Sequence, residues 1–204
     1  YLTTKIIRNG IKTIPVRRRL YKSDSGEPAL LPLSFETLRT RSRTARVDAA
    51  RALTTETLRY ITSGYERAHH AQHATFLPTH LIVSLMNSKT IQVIFGRMGV
   101  PVKTIAPECE RLLAKIPLQT AGTPPQLSPE TLETFFDAYY DAYAHRRPFI
   151  SPLELFAAAI IHDERIREVL YAHDITEEKL KNVIAWIRIG EELRDEFRRA
   201  RGAE

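Results

Sequence analysis

Two stretches of this chain echo one another, and that echo limits the fold more than any other feature. Leu77 to Leu85 reads LPTHLIVSL, and Ser151 to Ala159 reads SPLELFAAA. Each places a proline where a helix can begin, in a first turn that needs no amide hydrogen, and each runs straight into an apolar face. The match extends well beyond these stretches. Leu53-Thr54 aligns with Leu127-Ser128, Leu58 with Leu132, Tyr65 with Tyr139, Ala68 with Ala142, Pro78 with Pro152 and Leu81 with Leu155, all 74 positions apart. After one inserted residue the offset is 75, and Ile91 aligns with Ile166, Ile94 with Val169, Val100 with Ile175 and Ile105 with Leu180. A chain with such a period is built from two like units that bury their apolar faces against each other.

The helical signals fall in the same order in both units. In the first, Thr54 or Thr55 can cap a helix carrying Leu58, Ile61, Tyr65 and Ala68 on one face. A second helix from Pro78 carries Leu81, Ile82, Leu85 and Met86. A third carries Ile91, Ile94, Phe95 and Met98 and ends at Gly99, and a fourth carries Ile105, Cys109, Leu112, Leu113 and Ile116. In the second unit Ser128-Pro129 opens a helix expected to bury Leu132, Phe135, Phe136 and Tyr139. Ser151-Pro152-Leu153-Glu154 is a capping box followed by Leu155, Phe156, Ala159 and Ile160. Ile166, Val169 and Leu170 mark the third helix; Thr176 caps a fourth with Leu180, Val183, Ile184 and Ile187 inside. The expected fold is all-α: two tandem four-helix repeats with pseudo-two-fold symmetry.

The resulting division is a basic leading segment at 1–52 with a hairpin at 2–16, repeat one at 53–116, a linker at 117–126, repeat two at 127–190, and an exit helix at 191–204. The linker Pro117 to Gln126, PLQTAGTPPQ, has three prolines, a glycine and no periodicity. The hairpin rests on Asn9-Gly10 between β-branched runs, because both central residues of a type I′ turn need positive φ. The chain opens at Tyr1, with nothing that reads as a signal peptide, and is expected to be a piece of a longer protein. The exit pattern through Leu193 and Phe197 would then lead towards a downstream module.

Charge is placed unevenly. Residues 1–52 hold 12 Lys/Arg against 4 Asp/Glu, a balance of +8; residues 53–204 hold 18 against 20, a balance of −2. The basic surplus thus belongs to the leader, where Arg17, Arg18, Arg19, Arg41 and Arg43 are the candidate anion-binding residues. A leader of this kind suits nucleic acid or an anionic membrane surface, but it carries no interleaved aromatic platform, and nucleic acid is not the expected partner. One cysteine excludes an internal disulfide framework and fits a reducing, cytoplasmic setting.

Catalytic and metal-binding patterns are few. No Gly-x-x-x-x-Gly-Lys-Ser/Thr is present, so ATP and Mg are expected only in a downstream module. His69 and His73 share a helical face at a spacing zinc sites use, without a distant Cys/His partner, and read as a polar helix end. Asp137 and Asp141 read as solvent-facing charge, and Cys109 as a small core residue. No catalytic, cofactor-binding or metal-binding residue is assigned.

The repeat resembles the N-terminal domain of the Clp family of AAA+ protein unfoldases, over residues 53–190. There each unit begins Phe-Thr, carries a segment close to Ile-x-Thr-Glu-His-Leu-Leu, and ends its third helix near Gly-Val/Ile. Here Leu53-Thr54, Phe76-Leu77-Pro78-Thr79-His80-Leu81-Ile82, Gly99-Val100 and Asp174-Ile175 stand at those places. The resemblance implies a domain without catalysis of its own. Its partners would be unfolded or tagged proteins, an adaptor, and an AAA+ module in the same chain, hexameric in that family. The candidate peptide- or adaptor-binding positions are Thr54, Thr79, His80, Ser128, Leu153, Glu154, Tyr140 and Tyr143. Some relatives bind phosphorylated arginine through the Glu of the central segment. Thr79 and Leu153 stand in its place here, and neither can pair with a guanidinium.

Overall fold

A computed structural model describes residues 52–120 and 122–201. The hairpin and the arginine-rich leader lie outside the described residues. Eight helices and two short strands follow in order: α1 Thr55–His70, β1 Thr75–Phe76, α2 Pro78–Leu85, α3 Lys89–Arg97, α4 Val102–Leu113, β2 Gln126–Leu127, α5 Pro129–Ala144, α6 Pro152–Ile161, α7 Glu164–Ala172 and α8 Glu177–Arg201. The fold is all-α, with α1–α4 forming one repeat and α5–α8 the other.

Local chemistry explains the helix ends, and it is duplicated. The Thr54 hydroxyl accepts from the amide of Thr57 at 3.1 Å, and that of Ser128 accepts from Thr131 at 3.1 Å. Each satisfies one of the orphan amides at a helix start. α1 and α5 both end on a residue in the left-handed region, Gln72 (φ 57°) and Arg146 (φ 53°). The amide that follows folds back onto the helix: His73 donates to the Ala68 carbonyl at 2.9 Å, and Arg147 to that of Ala142 at 2.8 Å. α3 and α7 end alike, with Gly99 (φ 81°) and Asp174 (φ 57°) at the turn.

The core lies between the repeats. Every residue of α2 is buried, and α6 is nearly as enclosed, as expected of short helices apolar on all sides. Leu81, Ile82 and Leu85 from α2 join Leu153, Leu155 and Phe156 from α6. Phe95 of α3 meets Phe156 edge-on with ring centres 5.7 Å apart.

The repeats are also interlocked through their backbones. The segment entering each first helix pairs, in parallel, with the segment entering the other repeat's second helix. Leu53 bridges to Ile150, and Phe76 pairs with Leu127. Thr54 donates its amide to the Ile150 carbonyl at 3.1 Å, and Ser128 donates to that of Phe76 at 3.1 Å. The same carbonyls accept from buried hydroxyls: Thr57 to Ile150 at 2.9 Å and Thr131 to Phe76 at 2.8 Å. This reciprocity is the pseudo-two-fold relation expressed in hydrogen bonds. The segment at 117–126 is pinned rather than loose. Ala74 donates to the Pro117 carbonyl at 3.0 Å, Gln119 to that of Gln72 at 2.8 Å, and the Gln119 side chain to that of His73 at 3.0 Å.

The face of α5 differs from the expectation. Leu132 is 49% exposed, and the buried positions are Thr131, Thr134, Ala138 and Ala142. Small side chains bring α5 close to α6; Phe135 and Tyr139 pack partly buried against the core, while Leu132 is turned outward. α8 runs unbroken from the body through residues 190 and 191 to Arg201. No helix among the described residues is long and apolar enough to cross a membrane.

Candidate functional site

The central segments start α2 and α6, and their third helical residues do one job with two chemistries. Glu154 accepts from the amide of Ser151 at 2.8 Å, closing a capping box. His80, 74 positions earlier, accepts from the amide of Leu77 through Nδ1 at 3.0 Å. Leu77 has no oxygen to return the bond, so repeat one makes half the box. Because His80 accepts at Nδ1, its proton sits on Nε2, which donates to Nδ1 of His73 at 2.8 Å. Burial, with His73 second, pushes the pKa of His80 down to about 3, and burial also lowers that of His73. His73 is therefore a buried partner of His80 rather than part of an exposed histidine cluster. The matched positions in repeat two are Arg147 and Glu154, a cation and an anion where repeat one has two neutral rings. Arg147 pairs there with Glu191 at 2.9 Å.

Thr79 precedes His80 at the start of α2. Its hydroxyl donates to a carboxylate oxygen of Asp163, the N-cap of α7. Arg165 covers this pair, donating to Thr79 at 3.2 Å and to Asp163 at 3.4 Å. The carboxylate beside Thr79 is thus occupied by a guanidinium of the chain itself. The symmetry-matched pair is Leu153 of repeat two and, at the N-cap of α3 in repeat one, Ser88. The Ser88 hydroxyl is buried without a hydrogen-bond partner.

Five of the eight candidate binding positions are corrected by this placement. Thr79, His80, Ser128, Leu153 and Glu154 are all buried, the last at 1% exposure. They cap helices and fill the contact between the repeats, so a peptide cannot reach them. Thr54 is half-buried and works as a cap. Tyr140, at 57%, stands open to solvent and Tyr143 is half-buried. The anion-binding candidates Arg17, Arg18, Arg19, Arg41 and Arg43 lie outside the described residues.

One further reading is revised, that of the two aspartates, while Cys109 lies in the core as its apolar stripe implies. Asp137 and Asp141 are paired rather than simply solvated. Asp137 meets His162 at 2.6 Å, while Asp141 meets Arg188, and His145 at 3.2 Å. Burial outweighs Arg188 and raises the pKa of Asp141. Cys109 is buried, and desolvation first, then Asp163, pushes its thiol up to about 12.

Apolar surface remains accessible on the repeats. On α5, Leu132, Phe136 and Tyr140 recur every four residues and share a face. Between α6, α7 and α8 lies a cavity of about 90 Å³, lined by Ile160, Leu170, Ile175 and Ile184, with Ile161 and Tyr171 half exposed at its edge. Of these, only Tyr140 is singled out by the sequence as a binding position; an apolar residue at helical spacing otherwise reads as core whichever face the neighbouring helix covers.

An all-α body of two four-helix repeats, interlocked at their central segments, defines a helical domain built by duplication. The chain belongs to the Clp repeat N-terminal domain family, whose model matches residues 52–184. That domain is a non-catalytic part of AAA+ ATPases. Among solved structures, the fold is similar to the Hsp104 N-terminal domain from Candida albicans, with 15% identity, 67% of this chain and 91% of that one covered, and a TM-score of 0.62. It is similar to the N-domain of ClpV from Vibrio cholerae, at 16% identity, 71% and 91% coverage and a TM-score of 0.57. A complex of a ClpV N-domain with a VipB peptide matches at 15% identity, 71% and 93% coverage and a TM-score of 0.55.

Proposed function

We propose that this domain captures substrate or adaptor polypeptide for an ATP-dependent Clp-type unfoldase, using the outer face of α5 as the contact surface. The observation that carries this reading is the inversion of α5. Its small residues face the core, which leaves Leu132 and Tyr140 half exposed beside Phe136. Exposed aromatic side chains are the residue type that most often anchors a peptide, since they bring large area at low entropic cost. The solved complex of a ClpV N-domain with a peptide supports polypeptide as the ligand class. Phosphoarginine is not the ligand we favour, because Arg165 already holds the carboxylate beside Thr79.

Capture of this kind works by tethering. A weak contact raises the local concentration of a substrate at whatever the domain is joined to. ATP and Mg would act in an AAA+ module, not in these residues. The test is fluorescence anisotropy of a labelled, permanently unfolded protein titrated with the 204-residue chain at low and moderate salt. Binding that survives moderate salt and falls at least about tenfold in Tyr140→Asp and Leu132→Asp, a loss of 1.4 kcal/mol or more, supports the reading. Binding that is unchanged by both substitutions, or abolished by single-stranded nucleic acid, moves the active surface to the arginine-rich leader.

A further inference from the structure

α8 carries two apolar faces, and the body covers only one of them. Leu180, Ile184 and Ile187 are buried. Trp186, Ile189, Leu193 and Phe197 lie on the other side, each between 51% and 62% exposed. At about 100° per residue, Val183, Trp186, Gly190, Leu193, Phe197 and Ala200 form one straight stripe in steps of three and four. Those steps are the a and d positions of a helix-pairing seam. Arg97 of α3 stacks over the Trp186 ring at 4.0 Å and closes the upper end. A Cβ at Gly190 would meet nothing within 4 Å, so a second backbone can come close there. No buried residue follows Ile187 among the described residues, yet the helix continues to Arg201. A helical extension without packing is marginal in water, because its stability comes mainly from burying an apolar face.

The charges beside the stripe say what covers it. Arg194 and Arg201 fall on one flank, Glu192 and Glu196 on the other. Two such helices lying parallel and in register bring the acidic flank of each against the basic flank of its neighbour. Glu196 then faces Arg201 of the second copy, twice by symmetry. In an antiparallel pair, glutamate would face glutamate and arginine would face arginine. Flanking charges of this kind set partner and orientation. We infer that the exposed stripe of α8 is a self-association surface, and that its occupant is the same helix of a second copy of this chain, parallel and in register. Over the described residues the seam spans about two and a half heptads, short of the three to four that sustain a coiled coil alone, so the pairing expected of the 204-residue chain is weak and concentration-dependent. It strengthens where copies are held side by side.

Sedimentation equilibrium of the 204-residue chain over a broad concentration range tests this. The wild type follows a monomer–dimer equilibrium. Leu193→Asp, at a position 60% exposed and outside the core, raises the dissociation constant at least about tenfold while leaving the thermal midpoint at low concentration unchanged. Glu196→Arg weakens dimerisation about two- to fivefold, and adding Arg201→Glu restores it. Mild oxidation of Leu193→Cys traps a disulfide dimer, since matched seam positions approach within bonding reach only in a parallel pair. Lys181→Cys, on the far side of the same helix, gives no such dimer, and buried Cys109 does not interfere. A chain that stays monomeric at every concentration overturns the inference. Equal cross-linking at the two positions, or failure of the double charge reversal to rescue, overturns it as well.

Discussion

His73 and His80 are hydrogen-bonded ring to ring at 2.8 Å, with their ring centres 5.1 Å apart, and both are buried. The Leu77 amide fixes the tautomer of His80, and His80 in turn requires an unprotonated nitrogen on His73. The pair holds only while both rings are neutral. Repeat two puts Arg147 and Glu154 at the same places, so the two halves of the duplicated site are built from different side chains.

The pair makes stability depend on pH with a definite sign. His80 is held at about 3 in the fold against 6.5 in the unfolded chain. The unfolded state therefore binds more protons between these values, and stability rises with pH across them. The contribution is complete above pH 6.5 and is lost as pH falls towards 3, at a limiting slope of about 1.4 kcal/mol per pH unit. Urea midpoints between pH 7.5 and 5 should fall for the wild type and fall less steeply for His80→Gln, in which buried His73 is the remaining lowered histidine of the pair. A wild-type midpoint that does not move over this window would rule the coupling out.

The hydroxyls of Thr57 and Thr131 bind the two repeats through the carbonyls of Ile150 and Phe76. Each carbonyl keeps a second donor, the amide of Thr54 or Ser128. Each hydroxyl also meets a second one, that of Thr54 at 2.7 Å or Ser128 at 3.1 Å, so Thr57→Val and Thr131→Val should each cost about 1–2 kcal/mol without leaving either carbonyl an orphaned acceptor. Because the two sites share no partner, the two losses should add in the double variant in chemical denaturation.

Gly64 and Gly96 should respond to alanine with opposite signs. A Cβ at Gly64 would sit 3.0 Å from the carbonyl oxygen of His80 and 3.4 Å from Cβ of Ser84, where α1 crosses α2. Overpacking against backbone costs about 1–3 kcal/mol, more than the helix gains from losing a glycine. Gly96 is exposed on α3 with nothing within 4 Å of such a Cβ. Gly96→Ala should stabilise by about 0.5–1 kcal/mol. Thermal midpoints of the two variants against wild type decide both.

Cys109 should be inert in the folded protein. Its sulfur is buried, and the thiol is pushed up to about 12, so almost no thiolate exists at neutral pH. Alkylation by iodoacetamide should be undetectable under native conditions and complete in denaturant. Fast native labelling would mean that α4 opens readily.

Much of the body is legible in the order of residues. The matched prolines Pro78 and Pro152, the caps Thr54, Ser128 and Ser151, and the turns at Gly99 and Asp174 are local devices that act within a few residues of their own helix. The apolar sets on α2, α3, α6 and α7 are legible too, because those helices bury the face their sequence marks. α5 is not, since a face of Thr131, Thr134, Ala138 and Ala142 looks no more like core than the face of Leu132 and Tyr140. The partner of Thr79 is equally hidden. Asp163 lies 84 positions away, and no local periodicity relates a helix start in one repeat to a helix start in the other.

The sequence by itself therefore determined the helices, their ends and their duplication, because capping, proline placement and helical spacing are short-range effects. Tertiary structure alone decided which candidates are reachable. Thr79, His80, Leu153 and Glu154 carry functional-looking chemistry, yet the interlocked repeats bury them. Leu132 reads as core but stands half in solvent. The physical reason is that burial belongs to a pair of surfaces, and one chain segment specifies only its own half of the pair.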